Sequence, residues 1–173
     1  MMILKIGGGD AINLEAVARD VARFDEPVVI VHGANALRDR LAAGMGTPIK
    51  TVTSVSGFSS VVSDDNTIDL MMMAYAGLRN KRLVELLQRN GVNAIGLSGL
   101  DGRLVTARRN RGFRVIENGR KMLMRDLSGK PQSLNTDLLE LLLKQGYVPV
   151  MTVPVIDEDG FAVNTENDEI VAR

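Results

Sequence analysis

The chain has 173 residues, of which 45% are hydrophobic and 24% charged, and its 21 basic and 21 acidic side chains cancel. That is enough chain for one domain with a sizeable core, while no apolar run reaches the ~20 residues of a membrane span. The absence of cysteine excludes disulfides and thiolate chemistry and fits a reducing cytoplasm, and with His32 as the only histidine a multi-histidine metal site is excluded too.

Taken in order, Met2 to Ile6 is an apolar run that breaks into Gly7-Gly8-Gly9, so it reads as a first strand, not as a cleaved leader. Leu14, Val17, Ala18 and Val21 follow helical spacing behind a cap at Asn13. Val28 to Val31 is continuously apolar, as a parallel strand covered on both faces should be, and it breaks into His32-Gly33-Ala34-Asn35. Residues 34–43 read as a second helix, stopped by Gly44 and Gly46. Residues 49–63 are polar and β-branched, and a short hairpin or flap is expected there. One long helix is expected from about Asp65 to Asn90, capped by Ser63 or Asp64 and ended by Gly91 at C′. Met71 to Met73, Leu78, Leu83, Leu86 and Leu87 supply its core face, the methionines as packing and not as ligands.

A buried strand follows at Val92 to Leu97. Residues 104–124 alternate weakly, with Asn118-Gly119 as a two-residue hairpin signal between two apolar runs. Thr136 caps a helix through Gln145, and Tyr147 to Val153 is another core strand. Val155-Ile156 and Phe161-Ala162-Val163 flank a second hairpin, and Asn164 opens a final helix. Strands alternating with helices give an α/β fold, a three-layer sandwich with a mainly parallel sheet, helices on both faces and added hairpins.

Three places can carry chemistry. Lys5 stands inside an apolar strand, where an isolated charge is costly unless it pairs or reaches a site. Two residues before a glycine turn it can stabilise phosphate oxygens, and the alternative is an edge lysine that reaches out to solvent. The glycines at 7–9 make neither a Walker A loop nor a G-x-G-x-x-G fingerprint. The turn after His32 can hold an oxyanion on backbone N–H groups at a helix N-terminus, whereas His32 itself reads as a satisfied core residue before it reads as a base. Asn164-Thr165-Glu166-Asn167-Asp168 reads either as a cap with acidic residues in a first turn or as a ligand-binding Asn164 with Asp168 orienting Lys5.

These elements in this order resemble the amino-acid kinase family, in the branch of N-acetylglutamate kinase and the kinases that act on aminoadipate or glutamate attached to an amino-group carrier protein. The likeness is carried by Lys5-Ile6-Gly7-Gly8, by Val31-His32-Gly33, by Gly91 to Gly102, by Gly146 to Val150, and by Asn164 with Asp168. It implies ATP-dependent phosphorylation of a side-chain carboxylate, with Mg2+ arriving on the nucleotide and no resident metal. By position it implies catalytic roles for Lys5 and Asp168, phosphate contact at Gly7 and Gly8, and substrate binding at Gly33, Ala34, Asn35 and Asn164. It also implies that these residues form the substrate-binding N-terminal portion of a kinase domain whose nucleotide-binding C-terminal portion is absent, so that this piece binds ATP poorly and turns over little.

Two departures stand out. Ala34-Asn35 replaces the family's usual Gly-Gly, and Val61 falls where the family carries an arginine that clamps a carboxylate, a contact worth about 2 kcal/mol. Between Arg103 and Lys130, nine basic residues face two acidic ones. Arg108, Arg109, Arg111, Arg114, Arg120 and Lys121 then read either as a solvated positive face or, on the resemblance, as the surface that receives a small acidic carrier protein. A homodimer or larger homo-oligomer is expected, and neither nucleic acid nor membrane is expected as a partner, since only Phe113 interleaves with the arginines. The other readings are a kinase of free N-acetylglutamate and a non-catalytic carrier-binding or oligomerisation domain.

Overall fold

A computed structural model describes residues 1–53, 59–117 and 120–173. Its main sheet is mostly parallel. β1 (Met2–Ile6) pairs in parallel with β2 (Val28–His32), which pairs in parallel with β10 (Val148–Asp157). β10 also carries β5 (Ala94–Gly99) and β6 (Val105–Arg109) in parallel and β11 (Ala162–Val163) antiparallel. β9 (Gly129–Leu134) closes the far edge antiparallel to β6. Two short antiparallel pairs decorate this sheet, β3 (Thr51–Thr53) with β4 (Ser59–Val61) and β7 (Phe113–Glu117) with β8 (Arg120–Met124). The expected flap and hairpin are therefore present as strand pairs, while the Asn118-Gly119 turn lies outside the described residues.

Period-2 alternation explains why β2 is buried throughout. Val28 and Ile30 enter one core with Ala18, Val21, Leu83 and Leu87, and Val29 and Val31 enter the other with Met71, Tyr75, Met151 and Val153. The first core lies under α1 (Leu14–Val21), capped by the Asn13 side chain, and under α4 (Asn80–Arg89). The second lies under α2 (Asn35–Gly44), α3 (Asp65–Met71), α5 (Thr136–Lys144) and α6 (Asn167–Val171). Asp64 caps α3, and Gly91 takes the left-handed conformation (φ 79°) that closes α4.

Several expectations are corrected in detail. The long helix is broken in phase by a π-helical segment at Met72–Arg79, which rotates the following residues relative to an ideal 3.6-residue repeat. Leu78, near the end of that segment, is consequently exposed (44%) although its spacing assigns it to the core, and Met73 is exposed as well (41%). Asn135, not Thr136, caps α5 through its side-chain oxygen. The strand expected to stop at Val153 runs on to Asp157 as β10, because it gains new partners, β6 and β11, where β2 and β5 end. β9, whose sequence Gly-Lys-Pro-Gln-Ser-Leu shows no strand period, was not expected at all. Asn164 does not open a helix: it bridges to Ser128, three residues before α6 begins.

Candidate active site

Because β1 and β2 are parallel and Ile6 lies opposite His32, the two glycine turns emerge side by side at the C-terminal edge of the sheet, the edge where open α/β sheets bind ligands. They touch closely. Gly33 N–H donates to the Ile6 carbonyl (2.9 Å) and Ala36 N–H to the Gly8 carbonyl (3.1 Å). A Cβ on Gly8 would stand 2.5 Å from the Asn35 nitrogen and 2.7 Å from that of Ala34, so only glycine fits there. The N-terminus of α2 has no side-chain cap, and among the described residues neither Ala34 nor Asn35 N–H has a backbone acceptor. Ala34 is fully buried beneath the turn, while Asn35 is exposed at its surface.

Alternation along β1 puts Ile3 and Lys5 on one face, and that is the face on which α6 lies. Lys5 Nζ meets Asp168 Oδ1 at 2.7 Å, with both side chains open to solvent (40% and 72% exposed). The lysine therefore avoids the cost of an unpaired charge by pairing across the strand–helix junction. α6 is itself tied to β2: Asn167 Nδ2 donates to the His32 carbonyl (3.1 Å), as does Thr152 Oγ1 (2.8 Å).

His32 is a core residue. Its ring is fully buried, accepts a hydrogen bond at Nε2 from Asn80 (3.1 Å), and its Nδ1 faces the Gly33 carbonyl (3.3 Å). Burial holds its pKa down at about 4, with the Arg79 guanidinium adding to the effect. It is neutral and has no proton exchange to offer at pH 7. The π-helical segment turns two further groups inward. Tyr75 donates to Asn35 Oδ1 (2.9 Å), its phenol kept protonated by burial, and Arg79 donates to the Gly9 carbonyl (3.3 Å).

Beside the turns opens a cavity of about 440 Å³. Its walls come from α2 (Asn35, Arg38), the end of the β3–β4 pair (Val61, Ser63), Tyr75, the start of β9 and the loop before α6. Asn164 lines it, with its Nδ2 donating to Ser63 Oγ (3.1 Å). Ser63 is clamped in turn, its N–H on Asp126 Oδ2 (3.1 Å) and its carbonyl accepting from Leu127 N–H (2.6 Å). Thr165 Oγ1 and Asn167 Oδ1 on the same wall are buried without a hydrogen-bond partner among the described residues.

The structure thus gathers Lys5, Gly7, Gly8, Gly33, Ala34, Asn35, Asn164 and Asp168 at one sheet edge. The basic residues lie elsewhere, on β6 to β8. Arg108, Arg111, Arg114 and Arg125 are exposed, and Arg109 is partly buried with Nε on the Asp126 carbonyl (3.4 Å). The side chains of Arg120 and Lys121 lie outside the described residues. Ser63, Tyr75, Asp126 and Arg38 were missed by sequence reasoning, since each comes from a different element and no spacing links them. Among the described residues no cluster of three His, Cys, Asp or Glu side chains could hold a metal ion.

The chain is thus a mostly parallel α/β sheet with two abutting glycine turns and a lysine–carboxylate pair at its C-terminal edge. The whole chain, residues 1–173, matches the model of the amino acid kinase family, and it belongs to that family. It is 43% identical over 99% of its length to the LysW-aminoadipate kinase of Thermus thermophilus, and 35% identical over 97% to the acetylglutamate kinase of Methanopyrus kandleri. It spans 65% of the first protein's length and 63% of the second's. Among solved structures, the fold matches smu.665 of Streptococcus mutans with a TM-score of 0.71 at 20% identity, over 98% of this chain and 64% of that one.

Proposed function

We propose that this chain forms the acceptor-side portion of a kinase that phosphorylates the side-chain carboxylate of an N-blocked acidic amino acid, aminoadipate or glutamate joined to an amino-group carrier protein. The carrying observation is the Lys5–Asp168 pair standing at the mouth of two abutting glycine turns. Mg-ATP supplies the phosphoryl group, and Mg2+ needs no protein cage because it travels on the phosphates. The donor set fits that anion: an ammonium at Lys5, open N–H groups at the Gly7–Gly9 turn and at Asn35, and a Gly8 position where any Cβ would collide with the α2 N-terminus.

Lys5 neutralises charge that builds on the phosphoryl oxygens, and Asp168 holds its ammonium in place. Asn35 N–H and the α2 N-terminus position the accepting carboxylate, and Asn164, fixed by Ser63, binds the amino-acid part beside the cavity. Catalysis then rests on positioning and charge neutralisation, with no covalent enzyme intermediate. The exposed Arg108, Arg111, Arg114 and Arg125 supply a positive surface for an acidic carrier.

The test joins the chain to the C-terminal third of the Thermus thermophilus relative, which it does not span, traps the acyl phosphate with hydroxylamine as a hydroxamate, offering carrier-linked aminoadipate and N-acetyl-L-glutamate in parallel, and follows Mg-ATP by phosphorus NMR. Hydroxamate formation and nucleotide broadening that both fall in Lys5→Ala support the reading. No hydroxamate from either acceptor, with nucleotide spectra indifferent to Lys5→Ala, would overturn it. A second reading, phosphorylation of free N-acetyl-L-glutamate, is favoured by the identity to the Methanopyrus kandleri enzyme, and hydroxamate from that acceptor alone would select it.

A further inference from the structure

We propose that Arg38 holds the non-reacting carboxylate of the substrate, an inference that rests on the carboxylate-kinase reading above. The cavity beside the glycine turns presents three carboxylates, Asp126, Glu166 and Glu169, against two cations, Arg38 and Lys130. An anionic ligand enters such a pocket only against a fixed positive group. Lys130 is exposed on β9, whereas the Arg38 side chain is only 11% exposed. Val61, across the cavity, brings no donor.

Arg38 is also oriented in advance. Its Nε and Nη2 both reach Asp39 Oδ1 (2.9 and 2.8 Å), and among the described residues it has no other partner. The anchor fixes the guanidinium plane and leaves the Nη1–Nη2 edge to receive a carboxylate through two parallel hydrogen bonds. Position decides which carboxylate. Asn35 opens α2 at the glycine turns, and Arg38 follows on the same helix face about 4.5 Å further along the axis. A dicarboxylate with its reacting end at Asn35 and Lys5 therefore sets its other end toward Arg38. The chemistry agrees, since a guanidinium clamped on the reacting carboxylate would withdraw the electron density it needs as a nucleophile. This assigns to α2 the discrimination of α-carboxylate-bearing acceptors.

Two ligands separate this role from a structural one: N-acetyl-L-2-aminoadipate, and 5-acetamidopentanoate, which is the same chain without the α-carboxylate. NMR titration into the unaltered chain and into Arg38→Ala should show the first ligand weakened tenfold or more by the substitution and the second unchanged. Arg38→Lys should fall between, keeping the charge and losing the paired geometry. Equal loss for both ligands, or none for the first, overturns the assignment to Arg38 while leaving the kinase reading standing. Failure of the unaltered chain to bind either ligand overturns the assignment to Arg38 alone, since the kinase reading stands or falls by the hydroxamate assay with the carrier-linked acceptor. Should Arg38→Ala melt early, Arg38→Gln enters the same two-ligand comparison.

Discussion

Acidification from pH 7 to pH 5 should destabilise this chain by roughly 2 kcal/mol through His32 alone. The imidazole is fully buried between β2 and α4, with Asn80 donating to Nε2, and its pKa falls from 6.5 to about 4. The unfolded chain, titrating at the ordinary value, binds the proton first, so stability is complete above pH 6.5 and drains away as the pH falls through the window between the two values. Below about 4 the loss levels off at about 3 kcal/mol, the free-energy equivalent of the whole shift. The carboxylates held low by hydrogen bonds, Asp64, Glu85 and Glu158, act mainly below pH 5 and leave the upper window to His32. Urea unfolding at half-unit steps measures the slope, and the single histidine gives an unambiguous ring resonance for NMR titration. His32→Gln, which keeps an acceptor for Asn80, should be flat across the window. A ring resonance titrating near 6.5, or identical slopes in the two proteins, would refute the reasoning.

Gly8→Ala should cost about 1–3 kcal/mol, read as an earlier thermal transition, because its Cβ falls against the backbone nitrogens of Ala34 and Asn35, which cannot rotate away. In the fusion to the relative's C-terminal third, Lys5→Ala should lower acyl-phosphate formation about 100-fold or more with the fold intact, since the lost group is half-exposed and meets Asp168 at the surface; circular dichroism checks the second half of that statement. Replacing exposed Arg108, Arg114 and Arg125 together by serine should slow association with an acidic carrier and flatten its salt dependence, as stopped-flow mixing would show, while hydroxamate formation from N-acetyl-L-glutamate stays unchanged.

Much of this molecule is written locally. The apolar runs at Met2–Ile6 and Val28–His32, the caps at Asn13 and Asp64 and the left-handed Gly91 each depend on neighbours a few residues away, and each can be read from the sequence. The ordered turns with Lys5, Asn164 and Asp168 also announce the family before any coordinate does. What the sequence does not carry is convergence. Ser63, Asp126 and Asn164 form one hydrogen-bonded wall, although the separations of 63 and 101 residues obey no period. Leu78 falls outside the core because a π-helical segment, invisible to a 3.6-residue repeat, shifts the phase in front of it. β10 runs past Val153 only because β6 and β11 arrive to satisfy its backbone. Short-range pattern fixes which segments become strands, helices and turns, because those choices are settled by backbone sterics and by burial within a few residues. Only the closed sheet decides which distant polar groups meet, because pairing them costs chain entropy that the packed core alone offsets.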